Sequence, residues 1–171
     1  MTSESIVMLG DSITEQGPWE SSFPDRSISN RGYAGFTTAQ LVDVASEVAA
    51  QRPRAVYVLT GTNDIRDGRP PSWTVRHLTT ILDEFASTAP DTTIIIQTIL
   101  PRAVGGDEVR ATNVGISRLA ASRGVDVLDL HTGFDDGNGT LRPSDTDDGI
   151  HLTAVGNAVW ADLLRDDFER R

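Results

Sequence analysis

Cysteine does not occur anywhere in the 171-residue sequence. Its absence excludes a disulfide framework, thiolate zinc sites and a cysteine nucleophile. Lysine is missing as well; all 15 basic residues are arginine. Without lysine there can be no Walker-type phosphate loop, no Schiff base and no Ser–Lys dyad. Positive charge is outnumbered, because 25 acidic residues leave a net charge of -10. Such a surface repels nucleic acid and anionic membranes, so neither is expected as a partner. Apolar runs are short, and none approaches the ~20 residues of a membrane span. The sequence opens Met1-Thr2-Ser3-Glu4-Ser5 before the apolar Ile6–Leu9, with no basic leader and too short a stretch for a signal peptide. A cytoplasmic protein is therefore expected. The sequon Asn138-Gly139-Thr140 then reads as an Asn-Gly turn.

Hydrophobic residues make up 38% and charged residues 23%, a globular composition. Residues 1–171 are expected to form one domain. Apolar runs at Ile6–Leu9, Ala55–Leu59, Thr93–Leu100 and Val125–Asp129, with the more polar Ser27–Asn30, read as five strands. Helical periodicity lies between them. Leu41, Val44, Val48 and Ala49 follow an N-cap at Thr37 or Thr38. Val75, Leu78, Leu82 and Phe85 follow a cap at Ser72 and stop before Pro90. Val109, Ile116 and Leu119 end at Gly124. Val155, Val159 and Leu163 mark one side of a last helix, about 154–168, after a loop over 131–149. Continuous apolar strands alternating with amphipathic helices predict an α/β fold with a parallel sheet covered on both faces. Ligand sites of such sheets lie at the carboxyl ends of the strands.

Polar clusters collect at those ends. Gly10-Asp11-Ser12-Ile13-Thr14 follows the first strand, Asn30-Arg31-Gly32-Tyr33-Ala34-Gly35 the second, and Gly61-Thr62-Asn63-Asp64 the third. Asp147-Asp148-Gly149-Ile150-His151-Leu152 precedes the last helix. A serine becomes a nucleophile when a base takes its proton and a third group orients the base. Three histidines are available. His77 falls within an amphipathic helix and reads as a boundary residue; His131 follows a strand end and stays open as a base. His151 has Asp148 three residues earlier across a glycine, so the carboxylate can fold back onto one ring nitrogen and leave the other free. Ser12 is thus the candidate nucleophile, His151 its base and Asp148 the orienter. An oxyanion needs donors, and the N–H of Gly35 or Gly32, the Asn63 amide and the Ser12 N–H stand on suitable loops.

Blander roles compete for the same residues. Ser12 could cap a helix, Asp11 could hold its turn, Asn63 could be a turn residue and Asp64 could cap the segment after it. Asp145, Asp147 and Asp148 lack EF-hand spacing and read as a solvated loop, and Asp135–Gly139 as a turn. Trp19, Trp73 and Trp160 read as packing residues, with Trp19 the one placed near a site. Gly10-x-Ser12-x-Thr14 is not the Gly-x-Ser-x-Gly elbow of α/β-hydrolases.

Together, Gly10-Asp11-Ser12-Ile13, Gly61-Thr62-Asn63-Asp64 and Asp148-Gly149-Ile150-His151-Leu152 resemble, in order and spacing, the blocks of the GDSL or SGNH hydrolase family. The resemblance runs from residue 6 to about 160. It implies a flavodoxin-like three-layer α/β/α sandwich on a five-stranded parallel sheet. It implies a triad of Ser12, Asp148 and His151, with Ser12, Gly35 and Asn63 forming the oxyanion hole. The setting Ala34-Gly35-Phe36-Thr37 selects Gly35 over Gly32. Ile13 stands where the family usually has leucine. Tyr33 and Phe36 are candidates to shape an acyl pocket. The activity implied is a serine esterase on a small-molecule carboxylic ester, with no metal or organic cofactor. Short acyl or acetyl groups are favoured by the small size of the chain. A thioesterase, an acyltransferase and a non-catalytic ligand-binding module of the same fold are the alternatives. Nothing in the sequence indicates an oligomeric state.

Overall fold

The computed structural model describes residues 3–171. Met1 and Thr2, part of the opening segment read as lacking a leader, lie outside the described residues. Five parallel strands make one sheet in the order β2-β1-β3-β4-β5. They are β1 (Ser3–Gly10), β2 (Ile28–Gly32), β3 (Pro53–Leu59), β4 (Thr93–Gln97) and β5 (Asp126–Leu128). The helices are α1 (Ser12–Glu15), α2 (Trp19–Ser22), α3 (Thr38–Ala50), α4 (Thr62–Arg66), α5 (Pro71–Thr88), α6 (Gly106–Arg123), α7 (Leu130–Phe134) and α8 (Ala154–Arg170). This is the three-layer α/β/α arrangement expected. No helix among the described residues is long and apolar enough to cross a membrane.

Strand alternation sorts the core into two layers. Val7, Leu9, Val56, Val58 and Ile96 point to one face, where they meet Leu41, Val48, Leu78, Ile81, Phe85 and Ile116 of α3, α5 and α6. Ile6, Met8, Tyr57, Leu59 and Ile95 point to the other, against Trp19, Phe134, Trp160, Leu164 and Phe168. Each such apolar side chain, moved from water to the interior, contributes about 1.5–3 kcal/mol, so both faces of the central strands hold their helices firmly.

Several boundaries differ from expectation, each for a local reason. β4 stops at Gln97 rather than Leu100. Beyond it, the Asn113 side chain accepts from the Ile99 N–H and donates to the Ile99 carbonyl, taking that peptide out of the ladder. α5 begins at Pro71, not after a Ser72 cap. Proline suits the first helical position because its missing N–H has no partner there anyway. The loop over 131–149 contains α7, started by Asp129, whose carboxylate accepts from the Thr132 N–H. α8 is turned by one residue from the expected face: Gly156, Trp160, Leu164 and Phe168 are buried, while Val155 is 55% exposed. The two large aromatics decide this, because they offer more apolar area than the valines. Trp160 sits edge-on to Trp19 at 4.7 Å and donates its Nε1 hydrogen to Gln97 Oε1. Trp19 is thereby a core residue beneath α1, its indole N–H bonded to the Thr14 carbonyl, rather than a site residue.

Candidate active site

The carboxyl ends of β2, β1 and β3 are level. Gly10 pairs with Gly32 of β2 and with Leu59 of β3, so the segments that follow all leave at one rim. The chain turns there at once from β1 into α1. Gly10 is required at that turn, since a Cβ on it would lie 2.3 Å from Thr14 Oγ1 and 2.4 Å from the Leu59 carbonyl oxygen. Asp11 caps α1 by accepting from the Ile13 N–H at 3.0 Å. The cap is therefore Asp11, not Ser12, and the Ser12 hydroxyl is left free to point elsewhere.

It points to His151, with Ser12 Oγ 2.9 Å from His151 Nε2. His151 Nδ1 lies 2.6 Å from Asp148 Oδ2. The other Asp148 oxygen accepts from the backbone N–H groups of Ile150 and His151 at 2.9 and 2.7 Å. Thr146 ties the turn, receiving the Gly149 N–H and donating to the His151 carbonyl. The bond from the His151 ring, helped by these backbone N–H groups and opposed by burial, holds the Asp148 carboxyl well below the usual carboxylate range. An ionised carboxylate only accepts, so Nδ1 carries the ring proton and Nε2 is the acceptor for the Ser12 hydroxyl.

Asn63 is buried in the first turn of α4. Its Nδ2 donates to the Phe36 carbonyl at 2.9 Å, and its Oδ1 accepts from Arg66 Nη1 at 2.9 Å. That bond joins Asn63 to the loop carrying Gly35, which is tied in turn to β1 by the Tyr33 N–H on the Gly10 carbonyl. Gly35 has φ 77, and no atom of the described residues lies within 4 Å of the position a Cβ would occupy. This left-handed conformation in open space explains glycine at a position where the backbone faces outward. The N–H of Ser12, as first residue of α1, has no acceptor within its helix. Gly32 is committed to β2, its N–H bonded to Asn30 Oδ1, so it is not available as the alternative donor.

The remaining candidates have other duties. His131 belongs to α7; its Nδ1 faces the Ile99 carbonyl at 3.1 Å. His77 Nδ1 faces the Trp73 carbonyl at 2.8 Å. Asp64 does not cap the segment after it. It is fully buried and accepts from the Thr38 N–H and hydroxyl at the start of α3 and from the Thr74 hydroxyl in α5. It thereby fixes α4, and with it Asn63, to two neighbouring helices. Asp145 is buried against Arg142 and Ser144 rather than solvated. Neither Arg66 nor Thr146 stands out in the sequence. Arg66 lies one helical turn after Asn63, an i,i+3 spacing that would have flagged it had α4 been foreseen.

A profile of the GDSL-like lipase/acylhydrolase family matches residues 8–159. The chain belongs to that family. Solved structures of similar fold include a GDSL-like lipase from Bacteroides thetaiotaomicron, at 21% identity and TM-score 0.85, covering 98% of this chain and 88% of that one. A lipolytic G-D-S-L family protein from Veillonella parvula has 20% identity and TM-score 0.83, with 98% and 99% covered. A carbohydrate esterase family 3 protein from Talaromyces cellulolyticus has 18% identity and TM-score 0.79, with 99% and 97% covered. No protein of curated function matches the chain significantly.

The aspartate of the GDSL block carries a further property. Burial pushes the Asp11 carboxyl up to about 7, against the Ile13 N–H and the nearby His151, which pull it down. Its Oδ2 is buried without a partner among the described residues. Between the ordinary value of 3.8 and about 7, the folded protein keeps a proton on Asp11 that the unfolded chain has released. The contribution of Asp11 to stability is thus complete below the unfolded value and is lost as pH rises through about 7. Asp11→Asn keeps the acceptor for Ile13 and removes the titration. The drop in urea midpoint from pH 5 to pH 8 is expected to be smaller in this variant than in the parent. An equal drop in both would assign the pH dependence to other groups.

Proposed function

We propose that this GDSL-like hydrolase is a serine esterase working by acyl transfer. Ser12 Oγ attacks the ester carbonyl while His151 Nε2 takes its proton. Asp148 holds the imidazole in the right tautomer and offsets its charge when it becomes imidazolium. The Ser12 N–H, the Gly35 N–H and the Asn63 amide donate to the oxyanion of the tetrahedral intermediate. His151 then hands the proton to the leaving alcohol, and water repeats the sequence to release the acid. The observation carrying this reading is the pair of bonds in line, Ser12 to His151 at 2.9 Å and His151 to Asp148 at 2.6 Å.

Short acyl groups, acetyl above all, are the substrates this reading favours. The turns at the rim are tight: Asp11 alone joins β1 to α1, and Thr60 and Gly61 join β3 to α4. Beside Gly35, Tyr33 and Phe36 stack at 5.0 Å and offer an aromatic wall to a small acyl group. The carbohydrate esterase of similar fold makes acetylated sugars the first natural esters to try.

The test is a series of p-nitrophenyl esters of rising chain length, run beside acetylated sugars and acetyl-CoA, with fluorophosphonate labelling mapped by mass spectrometry. The label is expected on Ser12, and kcat/KM is expected to fall as the acyl chain lengthens. An unlabelled Ser12 would mean a ligand-binding module. A preference for acetyl-CoA would mean a thioesterase, and ester products formed with a competing alcohol would mean an acyltransferase.

A further inference from the structure

The proposed oxyanion donor Asn63 has a charged neighbour, Arg66, on its own helix. A carboxamide has nearly the same shape in either flip, so its partners decide which end faces where. The Phe36 carbonyl can only accept, and Nδ2 faces it at 2.9 Å. The Arg66 guanidinium can only donate, and Oδ1 faces it at 2.9 Å. Turning the amide over would set oxygen against oxygen and N–H against N–H. One Nδ2 hydrogen is spent on Phe36; in the esterase reading, the second is the one that donates to the oxyanion. Arg66 is itself steadied, since its Nε donates to Asp67 Oδ1 at 2.8 Å and that bond raises its pKa.

We propose that Arg66 is a positioning residue that fixes and polarises the Asn63 amide as an oxyanion donor. This rests on the esterase reading above. The charge-assisted bond on Oδ1 draws electron density from the amide and makes the free N–H a stronger donor. It also removes the flipped state, in which an oxygen would face the developing negative charge. Arg66 thus acts on the transition state through Asn63 and makes no contact with substrate.

The test is a double-mutant cycle on a neutral substrate, p-nitrophenyl acetate. Arg66→Ala is expected to lower kcat about tenfold, one bond removed from a donor that itself supplies ~10²–10³-fold, with KM within about twofold. Arg66→Lys keeps a cationic donor and is expected to recover part of the loss. In an Asn63→Ala background, Arg66→Ala is expected to add less than about twofold. Equal losses in both backgrounds, or a raised KM with kcat unchanged, would overturn the proposal, the latter in favour of direct substrate contact.

A second measurement needs no turnover. In ¹⁵N-labelled protein, the Asn63 side-chain amide signals, assigned by their loss in Asn63→Ala, are expected to shift in Arg66→Ala more than those of any other asparagine. If they stay in place, the clamp is wrong even where Ser12 labels normally. If they shift but Ser12 of the parent protein neither labels nor turns over any ester, the esterase reading fails and takes the catalytic role of Arg66 with it.

Discussion

Ser12→Ala is expected to lower turnover of p-nitrophenyl acetate at least ~10³-fold, as removal of a triad nucleophile does elsewhere. The hydroxyl is the group within hydrogen-bond distance of His151 Nε2, so its loss leaves the imidazole with only water to activate. What survives is expected to come from the proposed oxyanion donors and substrate binding, which act on any nucleophile. The fold should hardly notice. The capping carboxylate belongs to Asp11, and alanine is the better helix former at the first position of α1. Thermal unfolding of the variant is expected within a few degrees of the parent, so the loss cannot be ascribed to misfolding. His151→Ala should be as damaging as Ser12→Ala, and the double variant little worse than either, because the two act as one unit. A Ser12→Ala protein that hydrolyses the ester at the parent rate would end the mechanism.

What the sequence revealed and what it hid follow from the range of the forces involved. Gly10-Asp11-Ser12 and Asp148-x-x-His151 are readable because each is a local device: a strand turning at once into a helix, and a carboxylate folding back three residues. The parallel sheet is readable because strands buried on both faces must be apolar throughout. The end of β4 is not, since Asn113 of α6 reaches across to claim the Ile99 peptide. Neither is the face of α8, which is set by Trp160 finding Trp19 and Gln97, residues far away in the chain. Asp64 looked like a local cap because its neighbours are turn formers, yet its donors sit on α3 and α5. Arg66 was hidden for another reason. Its role depends on which way an amide faces, and that is decided by a carbonyl from a different loop.

Asn63→Ala is expected to cost roughly 10²–10³-fold in kcat, the usual loss for one oxyanion donor. KM should change little, because the donor gains strength only as negative charge develops on the carbonyl oxygen. Alanine also removes the bonds to Phe36 and Arg66, so a loosened loop could imitate the effect. Asn63→Asp tests the donor more directly. It preserves side-chain shape and keeps an acceptor for Arg66, but it presents a carboxylate to the Phe36 carbonyl and to the oxyanion. With the donor replaced by a negatively charged oxygen, kcat is expected to fall at least as far as with alanine; a loss milder than alanine's would argue against Asn63 as an oxyanion donor. Fluorophosphonate labelling gives an independent reading, since phosphonylation of Ser12 builds charge on an oxygen in the same position. Its rate is expected to fall in both variants roughly in step with kcat. A raised KM with kcat and labelling rate preserved would make Asn63 a substrate-binding group, and would leave the oxyanion to the backbone amides of Ser12 and Gly35.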